Sequence, residues 1–167
     1  LVRDVATIAA AEAVVDGIAW TFAPMVDLSE DPRWGRVAES FGEAPVLAGR
    51  LAVAAVAGFQ GPDASAPERI GACAKHFVGY GLSAGRRDYD TVSVGENTLR
   101  NLHLRPFRDA VEGGVLSVMA SFNDVDGTPT DGSVSVERPK KKTNPIVEWL
   151  IVVVVAITSA VLVRAYI

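Results

Sequence analysis

Three short apolar segments set the strongest limit on what this chain can fold into. Residues 18–24, 70–76 and 115–122 carry apolar side chains at mostly consecutive positions, and each segment is followed by polar residues or loop formers. A strand with one face in water alternates apolar and polar residues, whereas these segments do not alternate. They therefore predict strands buried on both faces, which is typical of a parallel sheet covered by helices.

A helical pattern precedes each of these apolar segments. The three patterns cover residues 3–16, residues 45–58 and residues 99–112. The order helix, strand, helix, strand, helix, strand predicts about three βα units of an α/β fold. Two architectures share this pattern: an incomplete (β/α)8 barrel of the TIM type, and three units of a flat doubly wound sheet.

Polar residues at the ends of the predicted strands favour the barrel. Asp27, the pair Lys75 and His76, and Asn123 all lie where an apolar segment ends. Active sites of (β/α)8 barrels are built at the carboxyl ends of the strands. Because Arg36 lies in the loop after the first strand, we expect Arg36, Lys75 and His76 to point into one concave site.

Three charged loop segments can be interpreted as ligand-binding or as structural. Residues 31–36 combine two arginines with a tryptophan, a mixture that binds sugar hydroxyls and the apolar face of a pyranose; the alternative is a salt-bridged surface turn. Lys75 ends an apolar strand and requires a partner, so the alternative is a structural ion pair with a nearby aspartate. Residues 86–88, taken alone, predict a solvated charge run.

Six ordered segments together resemble glycoside hydrolase family 3. They are residues 20–27, 31–36, 42–43, 58–61, 75–77 and 119–123, the last followed by Gly127. Their order and spacing are similar to the N-terminal barrel domain of that family over about residues 5–130. The resemblance implies that residues 1–130 are part of a barrel domain of the β-glucosidase type. Such an enzyme hydrolyses terminal, non-reducing β-D-glucosyl or xylosyl residues with retention.

The resemblance also implies the residues that contact the sugar. The substrate-binding positions are Arg36, Lys75, His76, Arg86, Arg87 and Phe122. Either Arg86 or Arg87 matches a single subsite arginine of the family, and the sequence leaves both open. Phe122 occupies a position that is often a tyrosine in relatives, so a phenol hydrogen bond is missing there.

One loop distinguishes between branches of the family. The branch that acts on N-acetylglucosamine typically follows its Lys-His-Phe motif with Pro-Gly-His-Gly, whose histidine serves in acid/base chemistry. The same stretch here is Val-Gly-Tyr-Gly, residues 78–81. This difference favours the β-glucosidase or β-xylosidase branch, and it leaves His103, the other histidine, with a predicted structural role.

The resemblance provides no catalytic carboxylate in these 167 residues. The family nucleophile would fall at about residues 152–156, which are apolar, and the acid/base glutamate comes from another domain. Asp27, Asp31 and Glu39 are implied to be structural or peripheral. We therefore expect subsite contacts only, with no cofactor or metal and no activity of the chain alone. The alternative is a non-enzymatic, membrane-anchored remnant or a gene-fusion product with weak or no sugar binding.

The C-terminal part has a different composition. A basic linker is predicted over residues 131–145, and residues 149–163 contain no charged side chain, which predicts a transmembrane helix over residues 146–164. The preceding lysines would keep the hydrolase-like part cytoplasmic. Residues 140–167 also resemble, over a short stretch, the membrane anchor of bacterial type I signal peptidases. The alternative is a buried segment of a soluble core.

Charge excludes one class of partner. The chain has a formal net charge of −4, so it does not have the basic surface that nucleic-acid binding requires. A β-glucoside or an oligosaccharide is the partner that the resemblance implies. The sequence also predicts insertion of residues 146–164 into a membrane, and it leaves the oligomeric state open.

Overall fold

The computed structural model describes residues 1–86 and 90–131, without the side chain of Arg86. In chain order the regular elements are α1 (Val2–Val15), α2 (Pro45–Gln60), β1 (Cys73–Phe77), α3 (Glu96–Thr98), a π-helical segment (Leu99–His103), α4 (Leu104–Glu112), β2 (Ser117–Ala120), β3 (Asp124–Val125) and β4 (Thr128–Pro129). Short 3-10 turns occupy Val37–Glu39, Tyr80–Leu82 and Ala84–Arg86. Arg87 and residues 132–167 lie outside the described part.

Three chain segments run parallel, with β1 in the middle. On one side β1 pairs with β2, where Cys73 lies opposite Ser117. On the other side, residues 20–25 approach β1 through the bridge between Trp20 and Gly71 and through a second parallel bridge at Met25. Helices α2 and α4 make the two connections. The predicted parallel α/β arrangement is therefore present in the described residues.

The first predicted strand, residues 18–24, is less regular than expected. Only isolated bridges join it to the β1 side, and no continuous ladder forms there. Pro24 has no N–H to donate, which prevents regular pairing at this position. Trp20 and Phe22 are about half exposed, at 49% and 54%, so the expectation that this segment is buried on both faces was wrong.

The third predicted strand, residues 115–122, is shorter and more exposed than expected. The observed strand β2 spans Ser117–Ala120, and the side chains of Leu116 and Val118 are exposed. Among the described residues β2 pairs with β1 alone, so it is an edge strand there. An apolar run therefore predicted the strand correctly but not the burial of both its faces.

The core lies between the parallel segments and the helices. Val26, Ala52, Ala74, Phe107 and Ala110 form its buried cluster. Helix α1 packs on α2 at Gly58, where an added methyl group would collide with the carbonyl oxygen of a residue in α1. The small residues Ala52, Ala110 and Gly58 allow the helices to approach the sheet and each other closely.

The third predicted helix is divided. A π-helical segment, Leu99–His103, separates α3 from α4. Pro106 cannot donate a hydrogen bond to the carbonyl of Leu102, and the turn before this proline is widened. The helix still ends at Glu112, followed by Gly113 and Gly114, close to the predicted boundary.

None of the helices in residues 1–86 and 90–131 combines the length and the apolar character needed to cross a bilayer. The basic linker predicted for residues 131–145 lies outside the described part apart from Asp131, and the transmembrane helix predicted for residues 146–164 lies wholly outside it. The predicted boundary near residue 130 stays a prediction.

Candidate functional site

The candidate site lies at the carboxyl ends of two adjacent parallel segments. Asp27 follows the bridge at Met25, and Lys75 and His76 belong to the last residues of β1. The register between β1 and β2 shifts between Lys75 and Phe77, so His76 has no partner of its own on β2. The loop of residues 28–42 carries Arg36 into contact with β1.

Arg36 is held on two sides of its guanidinium. Its Nε and Nη2 donate to the two carboxylate oxygens of Glu39, at 2.7 and 2.8 Å. Its Nη1 lies 3.0 Å from Nε2 of His76. The pKa of Arg36 is raised above its ordinary range, mainly by the hydrogen bonds to Glu39. The guanidinium is therefore a fixed positive charge in the site.

Lys75 shares the same carboxylate. Its Nζ lies 3.5 Å from Oε2 of Glu39, and its side chain is 15% exposed. The hydrogen bonds from Arg36 lower the pKa of Glu39; partial burial opposes this shift, and the charges of Arg36 and Lys75 add to it. Lys75 thus has the ion pair that its position requires, but with a glutamate and not with the nearby aspartate that the structural alternative named.

His76 is enclosed between Asp27 and Arg36. Oδ2 of Asp27 accepts from the backbone N–H of His76 at 2.9 Å and lies 2.8 Å from the ring nitrogen Nδ1. Both residues are 3% exposed. Burial raises the pKa of the Asp27 carboxyl, while the hydrogen bonds from His76 act in the opposite direction.

Two buried aromatic rings pack beside these polar groups. Tyr80 and Trp34 are fully buried, with ring centroids 5.7 Å apart in an edge-to-face arrangement. The Tyr80 ring also lies 4.9 Å from the ring of His76 and 5.6 Å from the guanidinium carbon of Arg36. Position 80, used above to distinguish family branches, therefore carries an aromatic ring that contacts both polar residues.

These contacts bring Arg36, Lys75 and His76 together, as predicted. That the three side chains line a concave sugar site stays a prediction. Two further members of the site, Asp27 and Glu39, were predicted to be structural or peripheral. The sequence signal for Asp27 is a carboxylate at a strand end. The signal for Glu39 is its position three residues after Arg36 within a short turn. The salt-bridged surface turn exists as well, as the pair Arg33 and Asp31 at 2.6 Å.

The other predicted site residues are Phe122, Arg86 and Arg87. Phe122 lies beyond β2 and is 70% exposed. The side chain of Arg86 and all of Arg87 lie outside the described part, so their predicted role stays a prediction. Asn123, also at a strand end, donates to the carbonyl of Val78 at 3.2 Å and holds the backbone of the next loop.

His103 has the structural environment that its predicted role requires. It is 3% exposed, and its Nε2 lies 3.5 Å from a carboxylate oxygen of Glu30. Burial lowers the pKa of this imidazole, and the charge of Glu30 opposes the shift. Within residues 1–86 and 90–131 no group of three or more His, Cys, Asp or Glu side chains is placed to hold a metal ion.

The cluster is suited to holding a neutral polyhydroxyl compound. The cations of Arg36 and Lys75 lie together with an imidazole, beside buried aromatic rings. Charged hydrogen-bond donors are strong partners for hydroxyl oxygens. The carboxylates of Glu39 and Asp27 are engaged by Arg36, Lys75 and His76. They therefore orient the cations and the imidazole, and they are poorly placed to act as nucleophiles.

Comparison with known protein families identifies a match over most of the chain. The model of the glycosyl hydrolase family 3 N-terminal domain matches residues 1–137. The match includes all described residues of the site. It ends before the segment of residues 140–167, so the predicted similarity of that segment to a signal peptidase anchor gains no support from it.

Individual relatives agree with the family match. The chain is 38% identical to a periplasmic β-glucosidase of Salmonella typhimurium over 128 residues, which is 77% of the chain and 17% of that relative. It is 38% identical to β-D-xylosidase 1 of Arabidopsis thaliana over 113 residues, which is 65% of the chain and 15% of that relative. The chain thus spans less than a fifth of the length of these relatives.

Solved structures show the same relationship. A β-glucosidase from Listeria innocua superimposes with a TM-score of 0.75 at 42% identity, over 77% of this chain and 18% of that one. It has been solved in complexes with glucose, gluconolactone and isofagomine. At this level of identity the likeness extends to sequence as well as to fold.

Proposed function

The chain belongs to glycosyl hydrolase family 3, and on that basis we propose that it forms the sugar-binding part of a retaining β-glycosidase. The proposed substrates are compounds with a terminal, non-reducing β-D-glucosyl or xylosyl residue. The names of the relatives, β-glucosidases and β-xylosidases, support this class. In a complete enzyme the described residues would be part of a (β/α)8 barrel.

A single observation carries this proposal: the guanidinium of Arg36 is held by Glu39 and His76 beside the ammonium of Lys75. An arginine fixed in this way can bond sugar hydroxyls without losing much side-chain freedom on binding. Lys75 provides a second charged donor. Arg86 or Arg87 and Phe122 would complete the subsite as predicted from the resemblance.

The chemistry requires two carboxylates that these contacts do not provide. A retaining glycosidase uses one carboxylate as the nucleophile and one as acid and base. Asp27 and Glu39 are occupied by His76, Arg36 and Lys75. We therefore assign this chain the role of subsite contacts, with both catalytic carboxylates outside the cluster.

Ligand binding and turnover together test this role. We expect the 167-residue chain to bind glucose, a neutral sugar, in a calorimetric titration but not to hydrolyse an aryl β-D-glucoside. Arg36→Met should weaken binding at least about tenfold, because a hydrogen bond to a charged group is lost. Arg50→Met, which removes an exposed arginine from α2, is the matched control and should bind like the wild type. Equal binding by the Arg36 variant would refute the proposed role.

A second proposal concerns the location of the chain. The absence of charge over residues 149–163 favours insertion of residues 146–164 into a membrane, with the hydrolase-like part in the cytoplasm. We expect the chain to stay with membranes after carbonate washing, whereas a chain ending at residue 145 should be released. Release of both chains would exclude an inserted segment.

A further inference from the structure

Asp27 makes two contacts with one residue although it is far from it in sequence. Its Oδ2 accepts from the backbone N–H of His76 and lies within hydrogen-bond distance of Nδ1 of the same ring. The pair is buried, with side-chain exposures of 1% for Asp27 and 4% for His76. Because buried polar groups need hydrogen-bond partners, the carboxyl of Asp27 and the imidazole of His76 satisfy each other at this distance.

The other ring nitrogen determines where the proton is. Nε2 of His76 faces Nη1 of Arg36 at 3.0 Å. A guanidinium can only donate hydrogen bonds, so Nε2 must accept. The single ring proton then belongs on Nδ1, where it is donated to Asp27. A proton on Nε2 would place two donors against each other, and so would a doubly protonated ring.

We propose that Asp27 is a positioning residue of the sugar-binding site, which fixes His76 as the Nδ1–H tautomer and thereby holds the guanidinium of Arg36. Glu39 holds the same guanidinium from its other side. Because its guanidinium is held on both sides, the Arg36 side chain has little rotational freedom. Loss of either contact should therefore make this side chain less ordered and weaken sugar binding. This inference rests on the proposed function of Arg36 as a sugar ligand.

Nitrogen NMR of labelled histidine measures the tautomer directly. The chain has only two histidines, and His103→Gln assigns the remaining signals to His76. Magic-angle-spinning spectra can be recorded whether the chain is monomeric or associated. We expect the wild type to show a protonated Nδ1 and an unprotonated Nε2 at neutral pH. A protonated Nε2 in the wild type would overturn the inference, whatever happens to the variants.

Two substitutions at one position separate the acceptor from its charge. Asp27→Ala removes the acceptor, and we expect the His76 signals to shift to the Nε2–H form or to a mixture of tautomers. Glucose affinity should fall about tenfold in the same variant. Asp27→Asn retains an oxygen acceptor, so it should keep the wild-type tautomer and most of the affinity. Retention of the wild-type tautomer and affinity in Asp27→Ala would overturn the inference.

A control variant, and a rule for the case in which a variant does not fold, complete the test. Asp63→Ala removes a carboxylate that accepts hydrogen bonds from Ser65 in an exposed turn. This variant should change neither the tautomer of His76 nor the ligand affinity. If Asp27→Ala does not fold, the wild type and Asp27→Asn decide, because both must show the Nδ1–H form. If the wild type does not bind glucose, the proposed function fails, while the tautomer spectra still decide whether Asp27 positions His76.

Discussion

At the scale of single residues, Glu39 is the group that connects the site. It accepts from Nε and Nη2 of Arg36 and lies within ion-pair distance of Lys75. One carboxylate therefore reduces the repulsion between two cations that would otherwise lie close together. Its own side chain is 42% exposed, so solvent weakens these interactions without removing them.

The effect of Glu39 should depend on pH. Arg36 lowers the pKa of Glu39 below its ordinary 4.5, so the unfolded chain binds this proton more readily than the folded chain. Ionised Glu39 therefore stabilises the fold above pH 4.5, and the stabilisation is lost as pH falls through the lowered pKa. We expect Glu39→Gln to be less stable than the wild type at about pH 7, with a smaller difference at about pH 3.

Urea unfolding midpoints at the two pH values measure this difference. Glu68→Gln, at an exposed loop position, is the matched control, and its midpoint should follow the wild type throughout. A difference between Glu39→Gln and the wild type that stays constant with pH would show that the carboxylate charge is not responsible.

The sequence predicted part of this site because strand ends are predictable. Lys75 and His76 end an apolar run, and Arg36 lies in a loop that follows a neighbouring segment, so parallel geometry brings them together. The roles of Asp27 and Glu39 were not predicted, because they depend on loop conformation and on the register shift beside His76. Neither feature leaves a periodic signal in the sequence.

At the scale of elements, the contact between α1 and α2 depends on Gly58. A methyl group there would meet the backbone carbonyl of Arg3 and lie 2.6 Å from the Cβ of Ala6. Backbone atoms cannot move aside as a flexible side chain can. We expect Gly58→Ala to lower the free energy of unfolding by about 1–3 kcal/mol, the usual cost of overpacking.

Chemical unfolding followed by tryptophan fluorescence measures this cost. Gly35→Ala is the control, because an added methyl group at Gly35 meets no atom within 4 Å. It should be neutral or slightly stabilising, since alanine reduces the freedom of the unfolded chain. A neutral Gly58→Ala would mean that α1 packs less closely than the structure shows.

Element types were predictable from pattern, and burial was not. Helical spacing and consecutive apolar runs identified the helices and the parallel segments, because these patterns follow from local geometry. The exposure of Trp20, Phe22 and Val118 depends on which neighbours cover them. An apolar run cannot report the presence of those neighbours, so the prediction of two buried faces failed for the first and third segments.

At the scale of the molecule, aromatic side chains on the parallel segments are only partly covered by the described residues. Trp20 donates to the hydroxyl of Ser117 at 2.9 Å across the parallel segments, and its ring packs on Phe22 at 4.8 Å. Both aromatic side chains remain about half exposed. The chain spans 17% of the Salmonella relative, and further βα units of a barrel would cover such a surface.

The central claim is that Arg36 and Lys75, positioned by Glu39, His76 and Asp27, bind a sugar. A crystal structure of the protein soaked with glucose tests it most directly. We expect ligand hydroxyls within hydrogen-bond distance, about 2.7–3.2 Å, of the Arg36 guanidinium and of Nζ of Lys75. Ligand bound elsewhere, for example between α2 and α4, with neither side chain in contact, would contradict the account.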